Sequence, residues 1–522
     1  MILAARRHSA CLLLFRFLLC AGAICFSADP AHAQSADAPP GVSSSNAAEE
    51  APNILLVLAD DLGYGSAGAY GADPSLVRTP HIDRLARQGI RFTDANTPSS
   101  VCSPTRYAML MGRYAWRTRL KSGVVGPVAP LLPDPERPSL ASWLQGRGYR
   151  TAAIGKWHLG YDTENDPGHF TGRLVPGPLE MGFDYHFGVP HNHDDIVGTY
   201  VENDRVWQLE SERTSRYGRN SYGNPYIGLD APQRVNKQVM QTLTDKSTDW
   251  LKKQDQREEP FFLYFAPVAV HEPITPSDRM RGSTAGGAYT DFIQDLDRSI
   301  GCLLKTLDET GMRENTLVIV TSDNGGDLPS DPDEPAIQAQ RAGLQVNGTY
   351  RGDKHSIWQG GLRVPFVARW PGKIPAGATS DAMVNLVDLF ATVTDALSGK
   401  VPPPGTAAPD SYSFREALLQ EEKPQAPRPP MVQSNVDGIR ALRAGQWKYI
   451  EGAYPEGEAS AEEDSGAESP QARRQLYNLE VDPREQNDVI EEHPEVAKRL
   501  QQRLDEIRAH PDRRASRQRR EQ

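Results

Sequence analysis

Four short runs in this 522-residue chain are apolar at nearly every position: Ile54 to Ala59, Thr151 to Ile154, Phe261 to Phe265 and Leu317 to Val320. A strand with one wet face alternates apolar and polar residues. A continuous apolar run needs both faces covered, which is the situation in a parallel sheet with helices on either side. Helical patterns such as His81 to Gln88 and Tyr289 to Leu307 lie between the runs. Strands alternating with helices predict an α/β fold, a large and mostly parallel sheet flanked by helices.

That sheet-bearing part is expected over residues 51–400. Pro402-Pro403-Pro404-Gly405 and Pro424 to Pro430 read as linker. Residues 401–522 then predict a smaller C-terminal α+β subdomain. Its short strands are Ile439 to Leu442, Trp447 to Ile450 and Leu476 to Leu479, with an acidic low-complexity loop over 455–470. Val496, Leu500, Leu504 and Ile507 fall on one face of a closing helix. The Arg-rich tail from Arg513 reads as a solvated end.

The first residues read as an address rather than as structure. Arg6 and Arg7 precede an apolar stretch from Cys11 to Phe26, and Ala31-His32-Ala33 fits a small-x-small cleavage site. Residues 1–33 are thus expected to be a signal peptide, and the Ala, Ser and Pro-rich 34–50 a disordered linker. The implied home is periplasmic or extracellular. Arg16 breaks the apolar run and argues against a retained anchor, and Leu19 before Cys20 argues against a lipoprotein. No later run is long enough to span a bilayer, so no stable membrane anchor is expected. Cleavage would remove Cys11, Cys20 and Cys25 and leave Cys102 and Cys302, too few for a disulfide scaffold, though the two could pair. A net charge of −11 argues against nucleic acid as a partner. It leaves open a small, locally basic pocket for another anion.

In open parallel sheets, ligands sit at the carboxyl ends of the strands. Each apolar run here leads into polar residues suited to such a site: Asp60-Asp61, then Lys156 and His158, then His271, then Asp323-Asn324-Gly325. Taken singly, Asp60-Asp61 could be loop acids and Asp323-Asn324-Gly325 a turn. Neither reading explains why both follow buried strands. Asp60, Asp61, Asp323 and the Asn324 carbonyl are hard oxygen donors, which suit Ca²⁺ or Mg²⁺. Ser103 and Pro104 predict a helix start, with Ser103 as N-cap, and Gly112 its end. Cys102 would then stand at a helix N-terminus, where an anion is favoured, with Arg106 about one turn on. A plain buried cysteine is the alternative.

Cys102-Ser103-Pro104-Thr105-Arg106, with Leu110-Met111-Gly112-Arg113, resembles the C-x-P-x-R signature of the type I, formylglycine-dependent, arylsulfatase-like sulfatases. Gly155-Lys156-Trp157-His158-Leu159-Gly160, Ser322-Asp323-Asn324-Gly325, Arg351-Gly352-Asp353-Lys354 with Gly360-Gly361-Leu362-Arg363-Val364-Pro365, and Leu476-Tyr477-Asn478-Leu479 with Asp482-Pro483 are similar to further blocks of that family, in order. The resemblance implies an alkaline-phosphatase-like fold. It implies a secreted hydrolase that splits sulfate monoesters, of a sulfated carbohydrate or an aryl alcohol, into alcohol and inorganic sulfate through a covalent sulfo-enzyme. Cys102 would be oxidised to formylglycine by a maturation enzyme and act as the nucleophile. One Ca²⁺ would be held by Asp60, Asp61, Asp323, Asn324 and the modified Cys102. Arg106 would hold the hydrated aldehyde, and Lys156 and Lys354 would contact sulfate oxygens. His158 would act on the formylglycine hydroxyl, and His271 or Lys354 on the leaving oxygen. Thr105 stands where the family often has Ser, and His271 lies in a looser match.

Two rival readings remain beside it. One is a phosphodiesterase or phosphonate monoester hydrolase of the same superfamily, whose members tend to carry His where Asn324 stands. The other is a non-catalytic binding protein, which the retention of Cys102, Lys156 and every metal ligand opposes. His191, His193, Asp194 and Asp195 cluster in one loop; they are candidates for lining a substrate pocket, His193 and Asp194 first, or else an ordinary polar loop. Trp116, Arg117 and Arg119 could meet an anionic sugar or serve packing and salt bridges.

Overall fold

The four apolar runs lie side by side at the centre of a large sheet. The structure is a computed structural model. It describes residues 51–163, 170–255, 257–403, 405–421, 427–453 and 473–510. The expected signal peptide, the 34–50 linker, the 455–470 loop and the tail from Arg513 lie outside the described residues. Across the ten-stranded sheet the order is Ala378–Ser380, Ile90–Phe92, Phe366–Arg369, Thr316–Ser322, Asn53–Ala59, Phe261–Ala266, Arg150–Lys156, Tyr185–Val189, Val201–Glu202 and Arg205–Val206. The five strands from Thr316–Ser322 to Tyr185–Val189 are mutually parallel. Phe366–Arg369 and Val201–Glu202 pair antiparallel at the two sides of that block, so the sheet is mixed around the parallel centre that the sequence predicts.

Why the central runs are apolar throughout is visible in where they point. Ile54, Leu56 and Leu58 enter one core, with Tyr107, Met109, Leu140 and Phe390 from helices Cys102–Met111, Leu140–Gln145 and Leu389–Ser398. Leu55 and Val57 enter the other, with Leu85, Leu243, Phe292 and Leu303 from helices Pro80–Gln88, Asn236–Lys252 and Ala288–Glu309. Burying each such side chain contributes about 1.5–3 kcal/mol, so a polar residue at any of these positions would face a core on its own side.

The chain then builds a four-stranded antiparallel sheet, Met431–Ser434, Arg440–Ala444, Trp447–Ala453 and Arg473–Asn478. Helix Pro494–Ala509 covers it with Leu500, Leu504 and Ile507, and Val496 packs partly buried beside them. Strand Met431–Ser434 follows directly on Pro429 and Pro430, which read as linker. Among the described residues no helix is long and apolar enough to cross a membrane.

One local expectation is corrected. The signature helix runs Cys102–Met111, with Val101 in extended geometry at its N-cap, so Ser103 is not the cap. Ser103 Oγ instead accepts the Val125 N–H at 3.0 Å. Pro104 is tolerated in the first turn because the first N–H groups of a helix have no partner within it. Gly112 ends the helix in a left-handed conformation, φ 57°, as expected.

Candidate active site

The register of the sheet assembles the site. Ala59 pairs with Ser322, so Asp60 and Asp323, the next residues of two neighbouring strands, emerge side by side. Lys156 is the last residue of its strand, and His271 follows Phe261–Ala266 by five residues. Gly155 makes the close approach possible: it has φ 124°, and a Cβ there would lie 1.9 Å from the Ala266 carbonyl oxygen. Cys102 arrives from the helix, and Lys354 from the loop before the short helix Gln359–Leu362.

Three carboxylates and three cations meet around Cys102. Lys156 Nζ donates to both Asp60 oxygens at 2.9 and 2.8 Å and lies 3.5 Å from Cys102 Sγ. Lys354 Nζ donates to Asp61 Oδ2 at 2.7 Å. Arg106 donates to Asp323 Oδ2 through Nε and Nη2 at 3.0 and 2.7 Å, to Asp60 Oδ1 at 3.2 Å, and to the Lys156 carbonyl at 3.0 Å. Cys102 Sγ is 3.6 Å from Asp60 and 3.9 Å from Asp61. All of these groups are buried.

Two observations mark the cluster as incomplete without a ligand. Ligand atoms of Asp60, Asp61, Cys102 and Asp323 lie within 4.8 Å of one another, a spacing that could hold a metal ion. Asn324 donates its Nδ2 to Asp61 at 2.7 Å, while its buried Oδ1 has no partner among the described residues. A buried acceptor without a donor, next to three carboxylates, fits a hard cation. His158 is the second case. Its ring is buried, neither nitrogen has a partner among the described residues, and the His191 ring lies with its centroid 3.9 Å away. Both His158 and Asp61 adopt positive φ, 56° and 59°, a strained conformation for residues with a Cβ.

The electrostatics follow from this crowding. Burial works against the Asp61 charge, but Lys354, with Lys156, outweighs it and holds the carboxyl well below its usual range. Asp323 goes the other way: burial, opposed by Arg106 but reinforced by Asp60 and Asp61, pushes it up to about 6. Burial and then the Asp323 charge raise the Cys102 thiol well above its ordinary value, so the unmodified thiol stays protonated at neutral pH. Burial, with the nearby His191 and Lys156, keeps His158 neutral; burial with Lys354 and Lys156 does the same for His271. His271 Nδ1 donates to the Glu272 carbonyl at 2.6 Å, and its Nε2 lies 3.9 Å from Asp61.

All ten residues expected at the centre, Asp60, Asp61, Cys102, Arg106, Lys156, His158, His271, Asp323, Asn324 and Lys354, are thus brought together. His193 and Asp194 stand behind the wall: His193 Nε2 bonds the Pro273 carbonyl and Thr275 Oγ1, and Asp194 holds Tyr226 Oη and the Ser221 N–H. Asp195 pairs with Arg234. Arg117 is tied to Asp410, and its guanidinium stacks on Trp116, so both serve packing. Sequence reasoning missed Asp327, 3.4 Å from Lys354, and Tyr222, whose hydroxyl donates to the Glu272 carbonyl at 3.2 Å. Nothing in the Tyr and Gly-rich stretch 217–228 singles Tyr222 out.

The family model described as Sulfatase matches residues 52–399. An N-acetylgalactosamine-6-O-sulfatase of Bacteroides thetaiotaomicron is 34% identical over 491 residues, 88% of this chain and 93% of that protein. Human arylsulfatase A is 31% identical over 84% of this chain and 83% of its own length. A solved structure described under the metabolism of multiple glycosaminoglycans by Bacteroides thetaiotaomicron superposes with a TM-score of 0.78 at 32% identity, covering 88% of this chain and 100% of that one. The phosphonate monoester hydrolase of Agrobacterium radiobacter shares the fold, with a TM-score of 0.56 at 18% identity, covering 88% of this chain and 95% of that one.

Proposed function

The chain belongs to the sulfatase family, and on that footing we propose that it hydrolyses sulfate monoesters of sulfated carbohydrates to an alcohol and inorganic sulfate, using a formylglycine made from Cys102 and one Ca²⁺ ion. The carrying observation is the cluster itself: Cys102, inert as a thiol, sits among Arg106, Lys156 and Lys354 and against three carboxylates. A sulfate monoester is an anion that repels nucleophiles, and fixed positive charge is what lowers that barrier.

Arg106, locked by four hydrogen bonds, orients position 102. Lys156 and Lys354 carry the charge that meets the sulfate oxygens. Oxidised and hydrated, position 102 would supply two hydroxyls, one to attack sulfur and one whose deprotonation expels sulfate. His158, neutral and without a hydrogen-bond partner among the described residues, is the base for that deprotonation. The Glu272 carbonyl fixes the proton of neutral His271 at Nδ1, so Nε2 has to take up a proton before it can pass one to the leaving oxygen. Lys354 is the other donor on that side. Asp60, Asp61, Asp323, Asn324 Oδ1 and position 102 would hold the Ca²⁺, which would add positive charge against the sulfate.

The leader at residues 1–33 would export the chain to the periplasm or beyond, and a formylglycine-generating enzyme would be its maturation partner. The catalytic part would span 51–400 and the C-terminal subdomain 401–522. Sulfate release from nitrophenyl sulfate and from 6-O-sulfated N-acetylgalactosamine, set against bis-nitrophenyl phosphate and a phosphonate monoester, tests the reading. Preference for the sulfates supports it. Turnover of the phosphorus esters alone would replace it with the phosphonate hydrolase reading.

A further inference from the structure

The wall beside His271 has features that sulfate transfer leaves unused. The Glu272 carbonyl accepts two bonds, from His271 Nδ1 at 2.6 Å and from Tyr222 Oη at 3.2 Å. The shared acceptor sets Tyr222 beside His271. The Tyr222 side chain is 48% exposed, although its hydroxyl is engaged. Asn192 donates Nδ2 toward the same hydroxyl at 3.5 Å and is only 6% exposed. Its Oδ1 lies beside the His191 ring and accepts no well-formed hydrogen bond among the described residues. The Glu272 carboxylate, half-buried, likewise meets no hydrogen-bond donor among the described residues, and it feels the like charges of Asp327 and Glu334.

We propose that Asn192, Tyr222 and Glu272 form a recognition subsite for the leaving-group sugar, one that takes an uncharged, hydroxyl-rich ring and disfavours a second anionic substituent. This rests on the sulfatase reading above and extends it to the substrate beyond the sulfate. An exposed aromatic face with one polar end tied down is a surface on which the C–H face of a pyranose stacks. The Glu272 carboxylate, which meets no donor among the described residues, and Asn192 Oδ1, set beside the His191 ring, would accept hydroxyl or amide N–H groups, which a neutral sugar supplies and a second sulfate does not. Carboxylates at Asp327 and Glu334 would repel that second sulfate, and Glu272, pushed up to about 7 by burial, would add to the repulsion as it ionises. Asp194 and His193 complete the device from behind, since they pin the 220–226 and 273–275 segments against which the subsite is built.

The test compares kcat/KM for a monosulfated neutral hexosamine, the same sugar with a second sulfate, and nitrophenyl sulfate. The wild type is expected to favour the monosulfated sugar over the disulfated one. Asn192→Ala and Tyr222→Ala are expected to lower the ratio of sugar to nitrophenyl sulfate about tenfold each, the effect of one lost hydrogen bond or stacking contact. Tyr222→Phe, which keeps the ring, is expected to retain most of it. Glu272→Gln is expected to shrink the mono-over-disulfated preference by a similar factor. Unchanged ratios in all the variants, with melting temperatures like the wild type, would overturn the subsite while leaving the sulfatase reading intact; so would a wild type that prefers the disulfated sugar. A wild type that releases sulfate from none of the three would overturn both.

Discussion

Lys448 and Glu485 are fully buried, and so are Lys156 and Asp60, yet the two pairs sit in different chemistry. Around Lys448 the groups are matched. Its Nζ donates to Glu485 Oε1 at 2.5 Å and to the Ile357 carbonyl at 2.7 Å, and Glu485 Oε2 accepts the Gln359 N–H at 2.6 Å. The Glu485 carbonyl takes Arg351 at 2.8 Å. Around Lys156 three carboxylates crowd within 4.8 Å with Cys102, Asn324 Oδ1 has no donor, and His158 has no partner among the described residues. The first cluster ties the C-terminal sheet to the loop that carries Lys354, with its one lysine matched to its one carboxylate. The second is held in a frustrated state that a cation and an anion would relieve. Three carboxylates crowded within reach of one cation, next to Asn324 Oδ1 and His158, unpartnered among the described residues, mark the functional cluster more than the number of buried charges does.

The largest effect that sharpens this contrast is on turnover. Cys102→Ala is expected to cut kcat/KM for nitrophenyl sulfate by about 10⁴-fold or more, as loss of a nucleophile does, with a melting temperature close to wild type. Lys448→Met should do the reverse. Leaving Glu485 buried and unpaired costs about 3–5 kcal/mol, read by denaturant unfolding, while the folded fraction keeps its kcat. If Lys448→Met instead abolished turnover at unchanged stability, the division between the two clusters would break.

Asp297 stands between the two cases. It accepts the His81 and Ile82 N–H groups but forms no salt bridge among the described residues, and burial pushes it up to about 7. Below about pH 4 both folded and unfolded chains hold its proton, and the group costs nothing. As pH rises from about 4 to 7 the unfolded chain releases the proton first, so stability falls, by up to about 4 kcal/mol at 1.36 kcal/mol per unit. Asp297→Asn is expected to flatten that part of the stability–pH curve; an unchanged slope would show that this acid titrates normally.

A smaller effect concerns the cation. Ca²⁺ at a hundred times its Kd is expected to stabilise the wild type by about 2.7 kcal/mol, read as a rise in melting temperature that a chelator reverses. Asp323→Asn and Asn324→Ala should lose that rise. Its persistence in both variants would place the ion elsewhere.

The fold was legible where packing is two-sided. Leu55 and Leu56 had to be apolar because a core lies on each face, and that pattern marks the parallel centre of the sheet. Strands such as Ile90–Phe92 and Ala378–Ser380 were not legible, since three residues carry no usable period. The central site could be read because Asp60, Lys156 and Asp323 sit at strand ends, where sequence position and spatial position coincide. Ser103 misled because its hydroxyl serves Val125, a partner 22 residues away. Tyr222 and the Lys448–Glu485 pair were invisible for the same reason: their partners, Glu272 and Gln359, come from distant segments that only the fold brings near.

The chemistry assigned to position 102 is open to one direct reading, mass spectrometry of the tryptic peptide Phe92 to Arg106 from active protein purified from its own source. The expected peptide carries CHO in place of the Cys102 CH₂SH. An unmodified thiol at position 102 in protein that still releases sulfate would contradict the formylglycine mechanism.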